Sequence, residues 1–257
     1  MGQPQKKGPP VGLIVGLGCG GIVLIGIIVS VVLFFKAKSA AEEILNSPEM
    51  KSLGDPGIGA PSDGSLKAEL RDLRSFKGSL GGSRYFVGEI HNTGTANIGF
   101  PMAKVTLYDA SNTAVESGTC MSVVRALSPG EKVPCTFMVT GNKTWKSEKV
   151  EITPQRAFLT GEVAKLDITD VKFTPKKQAY SAHDISGKVT NQSSFLAKNV
   201  MVIVSLYDKA GKIVGATQAP VAGNNLATAT SARFEAKIFD VAETPDRWQV
   251  IAVGYSE

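Results

Sequence analysis

The C-terminal two thirds of this chain repeat themselves at a constant offset of 99 residues, and this constrains the fold more than any other feature. Seven identities need no gap, and they pair Gly88 with Gly187, Asn92 with Asn191, Leu107-Tyr108-Asp109 with Leu206-Tyr207-Asp208, Val115 with Val214, and Leu127 with Leu226. A two-residue deletion would then align Phe137 with Phe234. Each copy has about 90 residues, enough for a two-sheet sandwich with its own core. The repeat therefore predicts two independent β-sandwiches, at residues 67–155 and 160–257.

Short alternating segments with no helical period predict strands throughout both copies. Val105 and Leu107 fall on one face of such a strand, so we expect them in the core. Asp109 would end this strand in a hairpin whose turn holds Asn112, the counterpart of Gly211, in a left-handed conformation. For the repeated tyrosines we expect packing, with the hydroxyl reaching backbone, rather than ligand stacking.

The repeated segments resemble the FxLYD domain. The resemblance rests on Leu-Tyr-Asp and on Gly-x-x-x-Asn, while valines stand in both copies where the motif has its leading aromatic residue. The first copy is also similar to a related bacterial domain of unknown function, through Gly88–Asn92, Phe100-Pro101 and Leu127–Gly130. The resemblance implies immunoglobulin-like sandwiches in a membrane-anchored or exported protein, and it brings no active site with it.

Residues 11–35 carry no charge and contain 18 apolar residues, six glycines and one serine. A helix of this length spans about 37 Å, enough to cross a bilayer with some tilt. We interpret it as a single transmembrane helix between a cytoplasmic tail at 1–10 and a flexible, proline-containing tether at 36–66; a cleaved signal peptide would have a shorter apolar region. Three glycines share one face of this helix and could seat a second helix in a homodimer, although a lipid-facing anchor fits equally: Gly12, Gly16 and Gly20.

The formal charge of +5 does not indicate nucleic-acid binding. Four of the 28 basic residues lie within the first 38 positions, which hold no acid, and the rest of the chain carries 24 basic against 23 acidic residues. The lysines on the two sides of the apolar segment nearly balance, so charge alone does not set the orientation of the helix.

Two cysteines predict a disulfide. Cys120 closes one predicted strand and Cys135 opens another, and the second copy lacks both, with Ala219 and, after the deletion, Ala232 in their places. A bond requires Cα atoms about 4.4–6.8 Å apart, whereas two independent buried thiols are the alternative. Because disulfides form in oxidising compartments, a bond would place residues 36–257 outside the cytoplasm.

No catalytic, cofactor-binding or metal-binding residue is predicted. His91 and His183 do not correspond under the repeat and lack ligands at a recognised spacing, so we expect exposed strand-end or loop histidines. A nucleophile elbow, a phosphate-binding loop and a zinc signature are all absent from the sequence. The pattern Gly16-x-Gly18-x-x-Gly21 matches a dinucleotide fingerprint, but it lies inside the apolar segment.

The resulting hypothesis is a membrane-anchored, non-catalytic binding or scaffolding protein of the bacterial envelope, with an envelope protein as partner. The alternatives are a receptor for a small ligand or an envelope polymer, and a stress-protective sandwich protein. A concave apolar pocket with convergent polar groups would favour a ligand, whereas a flat apolar patch or a free edge strand would favour a protein partner.

Overall fold

The computed structural model describes residues 64–79, 82–140, 143–159, 161–178 and 181–257, which belong to one compact unit, Pro61–Glu257. In these ranges the chain is all-β and sandwich-like, as predicted, and no helix there is long and apolar enough to cross a bilayer. The predicted span at 11–35, with Gly12, Gly16 and Gly20, lies outside the described residues. The strands are β1 Ala68–Lys77, β2 Ser83–Asn92, β3 Ile98–Gly99, β4 Met102–Tyr108, β5 Ala114–Met121, β6 Lys132–Thr140, β7 Ser147–Glu151, β8 Gln155–Arg156, β9 Leu166–Thr174, β10 His183–Asn191, β11 Lys198–Tyr207, β12 Ile213–Pro220, β13 Ser231–Ile238 and β14 Arg247–Tyr255.

The strands form four antiparallel sheets of three strands and one small pair, β3-β8. The first copy holds the sheets β1-β2-β6 and β5-β4-β7, and the second copy holds β9-β10-β13 and β12-β11-β14. The strands β1, β2 and β6 of the first copy correspond to β9, β10 and β13 of the second. In the same way β5, β4 and β7 correspond to β12, β11 and β14, so both sheets have the same strand order in the two copies. The two copies therefore share one topology, which agrees with the repeat found in the sequence.

The strand register shows that the offset of 99 continues without a deletion. Gly88 lies opposite Cys135 in β6, and Gly187 lies opposite Phe234 in β13, so Cys135 and Phe234 are equivalent. The predicted two-residue deletion, which matched Cys135 to Ala232, is therefore wrong. The Phe234 ring occupies core space near Gly187, where an added Cβ would come within 2.8 Å of it.

Each repeated asparagine closes the loop that follows its strand. The side-chain amide of Asn92 donates to the carbonyls of Ala96 and Leu127 at 2.9 and 2.8 Å, and its oxygen accepts from the Gly94 N–H at 3.0 Å. Asn191 makes the same three hydrogen bonds, at 2.7, 2.9 and 2.9 Å, to Phe195, Leu226 and Ser193. The asparagine is repeated because one side chain satisfies three backbone groups.

The Leu-Tyr-Asp segments end strands β4 and β11 as predicted. Leu107 and Leu206 are fully buried in the cores. The carboxylate of Asp109 accepts the N–H groups of Ser111 and Thr113 in the turn, and Asp208 accepts that of Lys212. The turns hold Asn112 and Gly211 at φ values of 59° and 79°, the left-handed conformation that asparagine and glycine tolerate best.

A disulfide joins Cys120 in β5 to Cys135 in β6, with Cα atoms 5.3 Å apart, inside the expected interval. It connects the edges of the two sheets of the first copy within a core that also contains Phe86, Ile90 and Leu107. In the second copy Ala219 and Phe234 hold the corresponding positions, and both belong to its apolar core.

The two copies are not independent sandwiches, contrary to the expectation from the sequence. The core of the first copy includes Ile203 of β11, with Ile251 and Val253 of β14 packed against it. A third apolar cluster joins Val87 of β2 to Tyr207 and Ile213 of the second copy. The copies thus bury apolar surface against each other and form one packed unit.

Candidate functional site

The contact between the copies is built on two strands that are buried on both faces. In β10 buried and exposed residues largely alternate, but its counterpart β2 is buried at every position from Phe86 to Ile90. In the same way β11 is continuously buried from Val202 to Tyr207. A strand of a free sandwich would expose one face, so the outer faces of β2 and β11 are covered by the partner copy.

A buried carboxylate lies at the centre of this contact. Glu89, on the outer face of β2, is only 2% exposed. One carboxylate oxygen accepts a hydrogen bond of 2.9 Å from the Tyr207 hydroxyl, and the other lies 2.8 Å from the Lys132 ammonium group. The Gln249 side chain is 3.3 Å from the same hydroxyl. The cluster therefore combines groups from both copies and gives a buried charge the partners it requires.

Two cations flank the ring of Tyr207. The ammonium group of Lys132 lies 5.1 Å from the ring centroid, and the guanidinium carbon of Arg247 lies 4.5 Å from it. Burial, together with the adjacent Glu89 carboxylate, raises the pKa of Tyr207 to about 12. The hydroxyl therefore stays protonated near neutral pH and acts as a hydrogen-bond donor to Glu89.

A cleft of about 600 Å³ opens beside this cluster, between the two copies. Its polar wall contains Glu89, Lys132, Tyr207 and Gln249, and its apolar wall is formed by residues that include Leu127, Leu159, Val163, Ile251 and Val253. Leu159 and Val163 belong to the segment that connects the two copies. A cavity of this volume, with apolar walls and a few convergent polar groups, has the properties of a ligand site.

Both histidines are more buried than the sequence predicted. His91 is partly buried next to the cluster, with its Nε2 atom 3.7 Å from Glu89, and His183 is 5% exposed beneath the aromatic ring of Phe173. Burial lowers the pKa of both imidazoles below 6.5, and Glu89 opposes this shift at His91. Both histidines lie at strand ends, as one of the two expected placements had it, but the expected exposure was wrong because these strand ends are packed against neighbouring residues.

No group of acidic, histidine and cysteine side chains suited to hold a metal ion occurs among the described residues. The two histidines lie in different copies, His91 in β2 and His183 in β10. The cleft offers hydrogen-bond donors and acceptors and an apolar wall, and these groups suit binding.

The sequence predicted part of this site incorrectly. Tyr207 packs as expected, but its hydroxyl reaches the side chains of Glu89 and Gln249 rather than backbone. Its counterpart Tyr108 is only partly buried. Two sequence differences between the copies do indicate the contact. On the outward face of the strands, Val87 of the first copy stands where the second copy has Ser186. Likewise Ile203 of the second copy stands where the first copy has Lys104.

Comparison with known proteins gives only distant matches. No protein-family model matches the chain, and no curated protein matches it. Among solved structures, red sea bream transglutaminase matches 80% of this chain at 10% identity with a TM-score of 0.22. Exo-chitosanase of Amycolatopsis orientalis matches 72% at 15% identity with a TM-score of 0.16. The matches extend over 31% of the transglutaminase and about a quarter of the chitosanase, so this chain is similar to only a minor part of either protein.

Proposed function

We propose that this chain is a non-catalytic binding protein of the bacterial cell envelope, and that its ligand occupies the cleft between the two copies. The observation that carries the proposal is the cleft itself, where apolar side chains surround a buried carboxylate held by groups from both copies. Among the hypotheses from the sequence, a receptor for a small ligand or a segment of an envelope polymer accounts best for a concave site. A flat scaffold would not require a cavity of this size.

The proposed location is a single-pass membrane anchor at residues 11–35, with 1–10 in the cytoplasm and 36–257 outside. The uncharged apolar segment supports the anchor. The disulfide between Cys120 and Cys135 supports the orientation, because structural disulfides persist in oxidising compartments. A homodimer through Gly12, Gly16 and Gly20, and an envelope protein as partner, remain predictions from the sequence.

The proposed domain organisation is a tandem of immunoglobulin-like sandwiches at 67–155 and 160–257, related to the FxLYD domain. The identical strand order of the two copies and the matched roles of Asn92 and Asn191 support it. The tandem arrangement matters for function because neither copy alone could form the cleft, whose walls come from both.

Site-specific photo-crosslinking in membranes of living cells tests the proposed site. A photoreactive amino acid replaces Val163, which lines the cleft and is largely exposed, and in a matched variant it replaces Val150, which is exposed on β7 away from the cleft. We expect a discrete adduct from position 163 and none from position 150. The mass of the adduct distinguishes a small molecule or polymer fragment from a protein, and equal labelling at both positions would refute the cleft as the site.

Protease treatment of right-side-out spheroplasts tests the orientation separately. Residues 36–257 should be degraded without lysis if they face outward. Protection of these residues until the membrane is opened would contradict the proposed topology and leave the binding test unaffected.

A further inference from the structure

Phe100 has a backbone conformation that its residue type rarely adopts. Its φ angle is 43°, in the left-handed region, where a bulky side chain is an outlier. The equivalent residue of the second copy, at the offset of 99, is Asn199 with φ 52°, and asparagine tolerates this conformation well. The turn is therefore common to both copies, and the first copy carries a residue that is unfavourable for it.

Burial does not compensate this strain, because Phe100 is 50% exposed. Two methionines beside it are also exposed: Met102 at 42% and Met121 at 60%, directly opposite each other on β4 and β5. We call Phe100, Met102 and Met121 the apolar patch. A strained residue that also exposes an aromatic ring indicates a role outside the fold of the monomer.

The apolar patch lies at the end of the first copy where the chain enters from residues 1–63. The backbone carbonyl of Ser65 accepts hydrogen bonds from the N–H groups of Thr95 and Ala96. Phe100 follows Ala96 by four positions, so their Cα atoms lie at most about 14 Å apart. The segment that leads to the predicted membrane anchor thus joins the sandwich next to the patch.

We propose that the apolar patch inserts into the interfacial region of the bilayer that anchors the chain. This inference rests on the proposed membrane anchor at 11–35. Residues 36–63 separate the anchor from the described chain, and a flexible tether of that length has a root-mean-square span of about 30 Å. The patch can therefore reach the membrane surface, and the side of the sandwich that carries it is the one nearest the point of attachment.

Apolar burial, rather than charge, would drive this contact. Lys104 follows Met102 on the same exposed face, but it lies opposite Glu151, whose carboxylate also pairs with Lys149 at 2.8 Å. Two lysines against one glutamate leave a net charge of +1, and Arg125 and Arg156 lie beside Gly99, so anionic lipids would add an electrostatic attraction. On phosphatidylcholine, which carries no net charge, the apolar contact acts alone, and we expect it to persist at high salt.

The methionine methyl groups allow a direct test in the full chain. The protein, labelled at its methionine methyls, is reconstituted in phosphatidylcholine nanodiscs that contain a lipid with a spin label near the headgroup. We expect strong paramagnetic broadening of the Met102 and Met121 signals. Met138 is a matched internal control. It is 47% exposed, but it lies on β6 opposite Tyr85, near the start of β2 and at the other end of the first copy from the patch. Its signal should remain sharp.

Phe100→Asn is the decisive variant, because the second copy shows that asparagine fits this turn. It should relieve the strain and raise the midpoint of thermal unfolding by about 2–4 °C, while the broadening of Met102 and Met121 falls at least threefold.

Unchanged broadening in this variant, or equal broadening of all three methyls in the native chain, would overturn the proposal. Sharp signals from a chain that is stably held in the nanodisc would do the same, and would point to a protein as the occupant of the patch. A chain that fails to enter the nanodisc would refute the membrane anchor itself.

Discussion

The hydroxyl of Tyr207 donates a hydrogen bond of 2.9 Å to the carboxylate of Glu89, which lies 118 residues earlier in the other copy of the repeat. The bond ties the last residue of β11 to the middle of β2 and lies at the polar wall of the cleft. Lys132 of β6 binds the other carboxylate oxygen. These three side chains therefore link the two copies at the polar wall of the cleft, beside the apolar clusters that also join them.

Replacing Tyr207 by phenylalanine should destabilise the protein, because it removes the donor from a buried carboxylate. We expect the free energy of unfolding to fall by about 1.5–3 kcal/mol, the usual value for a hydrogen bond to a charged group. Tyr108→Phe is the matched control, since this tyrosine holds the same repeat position but is only partly buried, and it should change the stability little. Urea denaturation of both variants makes the comparison; an equal loss in the two would show that the Glu89 contact contributes nothing.

The internal repeat made much of the fold predictable, because residues that both copies need for folding recur at matched positions in the sequence. Leu107 and Leu206 in the cores, and the turn residues Asn112 and Gly211, follow from matched positions alone. The contact between the copies was not predicted, because it depends on what differs between them. Glu89 corresponds to the exposed Lys188, and identical residues such as Tyr108 and Tyr207 lie in different surroundings.

The disulfide gives the second prediction. The sequence located Cys120 and Cys135, although the alignment used to compare the second copy was two residues out of register. Replacing both cysteines by serine should lower the stability by about 3 kcal/mol, because the bond closes a short loop in the unfolded chain. Alkylation of the denatured, unreduced protein should modify only one of its three cysteines, Cys19, and reduction should expose all three. Modification of three thiols before reduction would show that the bond is absent.

The repeated asparagines should be equally important to their loops. Asn92→Ala and Asn191→Ala each remove three hydrogen bonds. The carbonyls of Leu127 and Leu226 keep a backbone N–H donor, whereas those of Ala96 and Phe195 lose the amide donor, so we expect each substitution to cost about 1–3 kcal/mol. Asn92→Asp is the control that separates the two roles, because aspartate keeps the acceptor for Gly94 but cannot donate to Ala96 or Leu127. It should be nearly as destabilising as alanine. A fully stable aspartate variant would mean that the amide donors are not needed.

The buried histidines predict that the protein loses stability on mild acidification. Burial lowers the pKa of His91 and of His183 in the folded state below the value of 6.5 that applies when the chain is unfolded. The unfolded chain therefore binds more protons at these sites, and the stabilisation that is complete above about pH 6.5 is lost as the pH falls below it. At His91 the Glu89 carboxylate opposes the shift, whereas Arg71 and Lys132 add to it; at His183 Lys176 adds to it and Asp184 opposes it.

Urea denaturation between about pH 7.5 and pH 5.5 should show a falling free energy of unfolding, with a slope that is reduced in His91→Gln and in His183→Gln and smallest in the double variant. Stability that rises on acidification, or a slope unchanged in the double variant, would show that the two imidazoles are not held neutral by the fold.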